Sequence, residues 1–170
     1  MIRQQEARPS QAGSGVGDWF LRPGGVSFRG VVFPWECDAM GHLNNKHYLG
    51  MFDQAAWHLF LALGYSTQMA AREHIGLADV HQALTFRREL RAGQLVLVRS
   101  WLARAGSKSL TAQHEMFDAE DGRAVASLTS VTTFLDLRER RSMPIPEGMR
   151  RTVDDWLCDA PTQDQVRGTA

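Results

Sequence analysis

HYLGMFDQAAWHLFLAL, residues 47–63, carries the strongest helical period in this 170-residue chain. Leu49, Phe52, Ala56, Leu59, Phe60 and Leu63 recur at steps of three, four and seven, which places them on one face of an α-helix. Met51, Ala55 and Ala62 widen that stripe, so the helix reads as largely buried. Gly64 ends it. Gly50 inside it costs about 1 kcal/mol relative to Ala. That cost leaves two readings: close approach of another backbone, or a tolerated surface glycine.

Working outward, residues 27–35 read as a strand that ends at Pro34 and a polar loop. A short helix follows the long one over residues 66–73, and then the pattern turns to strands. Residues 78–89 place Val80, Leu84 and Phe86 on one parity. Residues 94–103 are nearly continuously apolar, as in a strand covered on both faces. Residues 109–117 alternate, with Leu110, Ala112, His114 and Met116 on one side. A glycine-containing turn over 118–123 leads to residues 124–135, rich in Val and Thr. These last links are short, which predicts antiparallel hairpins. Pro144 and Pro146 close the sheet region, and residues 147–157 read as a terminal helix.

The fold class is therefore α+β: an antiparallel sheet of five to six strands, twisted enough to wrap around one long central helix. A remaining sheet edge and face would invite a partner subunit. One domain spans residues 25–157, between a flexible N-terminal tail over 1–24 and a C-terminal tail over 158–170. Trp19, Phe20 and Leu21 are candidates to dock on the body.

Nineteen basic residues balance nineteen acidic ones, so nothing electrostatic points to nucleic acid as a partner. No apolar run approaches the roughly 20 residues of a membrane span, and residues 1–25 lack the apolar core of a secretory signal. Cys37 and Cys158 form no CxxC, and no Cys/His set has zinc spacing. Two unpaired cysteines fit a reducing, cytoplasmic setting. Cys37 borders the polar loop, but an acidic neighbour disfavours its thiolate.

That loop is DAMGHLNNKHY, Asp38 to Tyr48. It lies between a strand end and the start of a buried helix. The first N–H groups of a helix lack intrahelical acceptors and carry about half a positive charge. Asn44 or Asn45 can cap such an end. Alternatively an amide there can polarise a ligand carbonyl, as in an oxyanion hole. Asp38 can return to the same spot, to attack that carbonyl or to activate a water. Hydrolysis of an activated acyl group needs that pairing. Ordinary readings stand beside it: Asp38 as a turn or capping residue, His42 as a loop histidine, and Asn44 and Asn45 as caps or turn residues. Gly41 shapes the turn. His47, His58 and His81 each have a plain structural reading.

With those residues in view, the sequence resembles the hotdog-fold thioesterases, in particular the 4-hydroxybenzoyl-CoA thioesterase-like group. WECDAMGHLNNKHYL, residues 35–49, is similar to that group's Asp-x-x-Gly-His-x-Asn-Asn-x-x-Tyr pattern. GSKSLTAQHEMF, residues 106–117, and VASLTSVTTFLDL, residues 125–137, resemble its later strands, with Arg140, Arg141, Pro144 and Pro146 at the exit. The resemblance implies the hotdog fold and a homodimer or homotetramer with active sites at the subunit interface. It implies Asp38 as the catalytic carboxylate and, aligned on Asp38 and Tyr48, the Asn45 amide as the group that polarises the thioester. His42 and Gly41 join them in the catalytic loop. The substrate would be an acyl-CoA or acyl-carrier thioester. No cofactor is required, coenzyme A being part of the substrate, and no metal. Candidates for contact with it are Asn44, Tyr48, Phe52 and Trp57, with Arg87 and Lys108 toward the coenzyme A phosphates; Phe60, Arg88, Arg140 and Arg141 are further candidates. For each, a core or solvent-face role is the alternative. Two other functions remain open at this point: a non-catalytic acyl-CoA-binding protein, and a hydratase or dehydratase on the same fold.

Overall fold

The structure is a computed structural model that describes residues 22–159. Trp19, Phe20, Leu21 and nearly all of both tails lie outside those residues. Strand β1 covers Val26–Val31 and is followed by a single 3-10 turn over Pro34–Glu36. The strand thus ends before Pro34, which sits in the turn rather than closing the strand. Helix α1, Asn45–Ala62, starts earlier than the periodicity indicates because the Asn44 side chain accepts the Lys46 N–H and caps it. Helix α2 covers Thr67–Glu73. Four long strands follow: β2 Ile75–Phe86, β3 Leu95–Ala105, β4 Ser109–Asp118 and β5 Ala124–Asp136. A two-residue strand β6, Arg141–Ser142, and helix α3, Glu147–Asp155, complete the fold.

The strands form one antiparallel sheet in the order β1-β3-β4-β5-β2, with β6 on β5. The sheet curls around α1. Tyr48, Met51, Phe52 and Ala55 pack on Val96, Val98, Met116, Ala126 and Leu128 at one end. Leu59, Phe60 and Leu63 pack on Ile75, Leu102, Leu110, Ala112 and Phe134 at the other, where α3 adds Met149 and Val153. Leu110, Ala112, His114 and Met116 are all buried, as the alternation in β4 predicts.

Three sequence readings change. The inward stripe of α1 differs at its start: Phe52, Leu59, Phe60 and Leu63 are buried as the period indicates, but Leu49 is 38% exposed and Tyr48 turns inward in its place. The helix is buried on one face only. A Cβ on Gly50 would meet nothing within 4 Å, so within this chain no backbone approaches it. In β2 a bulge between Asp79 and His81 breaks the parity, leaving Val80 64% and Phe86 45% exposed. The bulge and the exposed residues fit an edge strand, which has one covered neighbour and one open side.

A polar string crosses the interior. Ser27 Oγ donates to Val98 O at 3.1 Å, Ser100 Oγ lies 2.6 Å from Ser27 Oγ, and His114 Nδ1 lies 2.6 Å from Ser100 Oγ. With Ser27 donating to the carbonyl, Ser100 donates to Ser27 and His114 donates to Ser100. His114 Nε2 then carries a lone pair with no partner among the described residues. Burial pushes the His114 pKa down to about 4, against a smaller opposing pull from Asp79.

Candidate active site

The loop before α1 is folded around its own carboxylate. Gly41 N–H donates to Asp38 O at 3.0 Å, and Asp38 N–H donates to His42 O at 2.8 Å. Asp38 Oδ1 accepts from the Met40 N–H at 2.8 Å and the His42 N–H at 3.2 Å. Gly41 makes this turn at φ +79°, in the left-handed region that costs a side-chain-bearing residue. Cys37 and Leu43 pair across the loop, and Leu43 N–H donates to Leu90 O at 2.7 Å, fixing the loop to the segment after β2. Asp38 Oδ2 has no hydrogen-bond partner among the described residues, and Asp38 lines a cleft of about 930 Å³.

The helix end completes the arrangement. Asn44 accepts the Lys46 N–H on Oδ1 at 3.2 Å, and its carbonyl accepts the His47 N–H at 2.9 Å. The Asn45 N–H between them has no acceptor among the described residues, and Asn45 lines the same cleft as Asp38. An 18-residue helix therefore begins with an amide that has no acceptor among the described residues, at a cleft that Asp38 also lines. Such an amide stabilises negative charge developing on an oxygen.

Met40, His42, Leu43, Tyr48 and Phe86 supply more of the wall, and Arg87, Arg88, Glu89 and Arg91 line it from the segment after β2. Tyr48 is buried, packs edge-on against Phe86 at 5.1 Å and donates to Arg88 O at 3.4 Å. Burial pushes its hydroxyl pKa up, so it stays a phenol at neutral pH. Arg87 Nη1 lies 2.5 Å from Glu115 Oε1, and Arg88 Nη1 lies 3.0 Å from Asp121 Oδ2. The Asp121 pKa is lowered first by the Arg123 N–H and then by the Arg88 guanidinium. His42 Nε2 lies 3.1 Å from Glu89 Oε2 and 3.2 Å from Arg91 Nη2.

The structure thus brings Asp38, Gly41, His42, Asn44, Asn45, Tyr48 and Arg87 to one place. It puts three other candidates elsewhere in the chain. Phe52 is fully buried in the core beneath the site. Trp57 lines a separate recess of about 130 Å³ with Asp53, Phe60 and Asp79. Lys108 sits between β3 and β4, with Nζ 3.4 Å from Ser142 O. Sequence reasoning missed Glu89 and Arg91. The charged run Arg87-Arg88-Glu89-Leu90-Arg91 between two strands was the available signal. Among the described residues no group of three His, Cys, Asp or Glu side chains is placed to hold a metal ion, and no helix is long and apolar enough to cross a membrane.

A curled antiparallel sheet around one helix, with a carboxylate loop at the helix start, defines the hotdog fold. Residues 32–153 match the thioesterase-like superfamily. The chain belongs to that superfamily, whose class is thioester hydrolysis. No curated protein matches the sequence. Among solved structures, a hypothetical protein from Staphylococcus aureus in complex with CoA is similar at a TM-score of 0.74 and 16% identity, covering 88% of this chain and 97% of that one. A 1,4-dihydroxy-2-naphthoyl-CoA thioesterase from Synechocystis is similar at 0.68 and 20% identity, covering 77% and 97%. A probable thioesterase from Escherichia coli is similar at 0.65 and 20% identity, covering 76% and 97%. At these identities the likeness is one of fold.

Proposed function

We propose that the protein hydrolyses an acyl-CoA or acyl-carrier thioester to a free acid and a thiol. The observation that carries this reading is that Asp38 and Asn45 line one cleft, while Asp38 Oδ2 and the Asn45 N–H have no hydrogen-bond partner among the described residues. The thioester carbonyl oxygen accepts from Asn45, which draws electron density from the carbonyl carbon. Asp38 then acts in one of two ways. As nucleophile it attacks that carbon, the thiolate leaves, and water cleaves the resulting mixed anhydride. As general base it takes a proton from a water that attacks directly. A single oxyanion donor of this kind is worth about 10²–10³ in rate.

The Met40 and His42 N–H groups hold the carboxylate, Gly41 makes the turn that brings them to it, Asn44 shapes the helix end, and Tyr48 closes the wall beside the acyl group. The open edge of β2 supports a homodimer, or a homotetramer built from two such pairs, with the cleft near the shared edge. The two free cysteines support a cytoplasmic setting. The test is release of free thiol from a panel of short, long, branched and aromatic acyl-CoAs. Turnover of at least one supports the reading. Tight acyl-CoA binding with no turnover of any would replace it with a non-catalytic binding protein.

A further inference from the structure

The segment after β2 carries three cleft-lining arginines, and they are not equivalent. Arg87 is committed to Glu115, and Arg88 to Asp121. Either would have to leave a carboxylate to meet a ligand anion. Arg91 meets no carboxylate among the described residues. Among the described residues its guanidinium has one hydrogen-bonding partner, His42 Nε2 at 3.2 Å, and Glu89 Oε2 contests that same nitrogen at 3.1 Å. A ring nitrogen holds either a hydrogen or a lone pair. It can donate to Glu89 or accept from Arg91, but not both, so one of the two contacts is spare.

We propose that Arg91 is the residue that reads a phosphate on the thiol carrier of the substrate. An arriving phosphate takes the guanidinium, whose planar fork matches two phosphate oxygens. His42 Nε2 is then left to donate to Glu89. No ion pair is broken, and the His42 main chain keeps its hold on Asp38. The chain has zero formal net charge, so recognition of an anion falls to such a local cation. This inference rests on the thioesterase reading for its substrate and names the phosphate-bearing thiol, coenzyme A or a 4′-phosphopantetheine carrier, as the class preferred over uncharged thiols. Arg91 lies outside the Asp38–Asn45 pair, so it acts on substrate selection.

The experiment compares one acyl group on three thiols: coenzyme A, 4′-phosphopantetheine and N-acetylcysteamine, the last without phosphate. The readout is the ratio of kcat/KM for each phosphate-bearing thioester to that for N-acetylcysteamine. Arg91→Ala should lower that ratio about tenfold through KM, the loss typical of a charged hydrogen bond. Arg91→Lys should fall between, and Arg87→Ala should change it less than about threefold, its partner being Glu115. Loss with both phosphorylated thiols places the phosphate on the pantetheine arm. Loss with coenzyme A alone places it on the nucleotide, and either result supports the proposal. An unchanged ratio in Arg91→Ala, or a tenfold loss in Arg87→Ala alone, overturns it. If the wild type cleaves none of the three, the hydrolase reading has failed and calorimetric binding of coenzyme A decides the inference. About tenfold weaker binding to Arg91→Ala supports it, and equal binding overturns it.

Discussion

His42 holds Asp38 from both sides: its N–H donates to Asp38 Oδ1 at 3.2 Å, and its carbonyl accepts the Asp38 N–H at 2.8 Å. The grip uses only main chain from His42, so it survives most changes of that side chain. It fixes one carboxylate oxygen and leaves the other without a hydrogen-bond partner among the described residues.

The turn that makes this grip possible passes through Gly41 at φ +79°. Gly41→Ala should cost about 1–2 kcal/mol, because an L side chain is strained in the left-handed region. A Cβ there meets no atom within 4 Å, so strain and not collision sets the cost. Thermal unfolding measures the stability loss. Steady-state kinetics should show kcat falling more than KM rises, because the loop positions Asp38.

Phe52 separates a packing role from a substrate role. It is fully buried between α1 and the sheet. Phe52→Ala should cost about 3–5 kcal/mol in denaturant unfolding, the usual result of emptying an aromatic core site. Phe52→Leu should cost less and leave the order of preference among acyl-CoAs unchanged. A reordered acyl preference in Phe52→Leu would place this side chain against the substrate after all.

His114 gives stability a pH dependence. Its folded pKa of about 4 lies below its ordinary value of 6.5. Between those values the unfolded chain binds the proton and the folded chain does not. Folding is therefore penalised as pH falls below about 6.5, and stability from this group rises with pH across the window. The full span is on the order of 3 kcal/mol. Urea unfolding between pH 4 and 7 should show this slope, and His114→Asn should flatten it. Equal slopes in both proteins would contradict the assignment.

How much of this was legible in the sequence follows from the range of each contact. The long helix and the β4 alternation were readable because their periods are local. The inner face of α1 was not: Leu49 and Tyr48 are adjacent and both apolar, and only packing against the sheet decides that Tyr48 goes in. The bulge at Asp79 and His81 comes from pairing with β5, residues distant in sequence. The same division holds at the site. Asp38, Gly41, His42 and Asn45 fall within one short loop, where glycine, carboxylate and helix start announce each other. Glu89 and Arg91 reach His42 across nearly fifty residues, and no local pattern connects them.

The central claim is that Asp38 Oδ2 performs the chemistry beside the Asn45 amide. The direct measurement is thiol release by Asp38→Asn on the acyl-CoA that the wild type cleaves fastest. Asn keeps an oxygen to accept from the Met40 and His42 N–H groups, so the folded loop and the melting temperature should change little. Its amide is neither a nucleophile nor a base, and kcat should fall at least about 10²-fold, the lower bound for loss of a positioned proton acceptor. A variant that retains wild-type kcat would contradict the account.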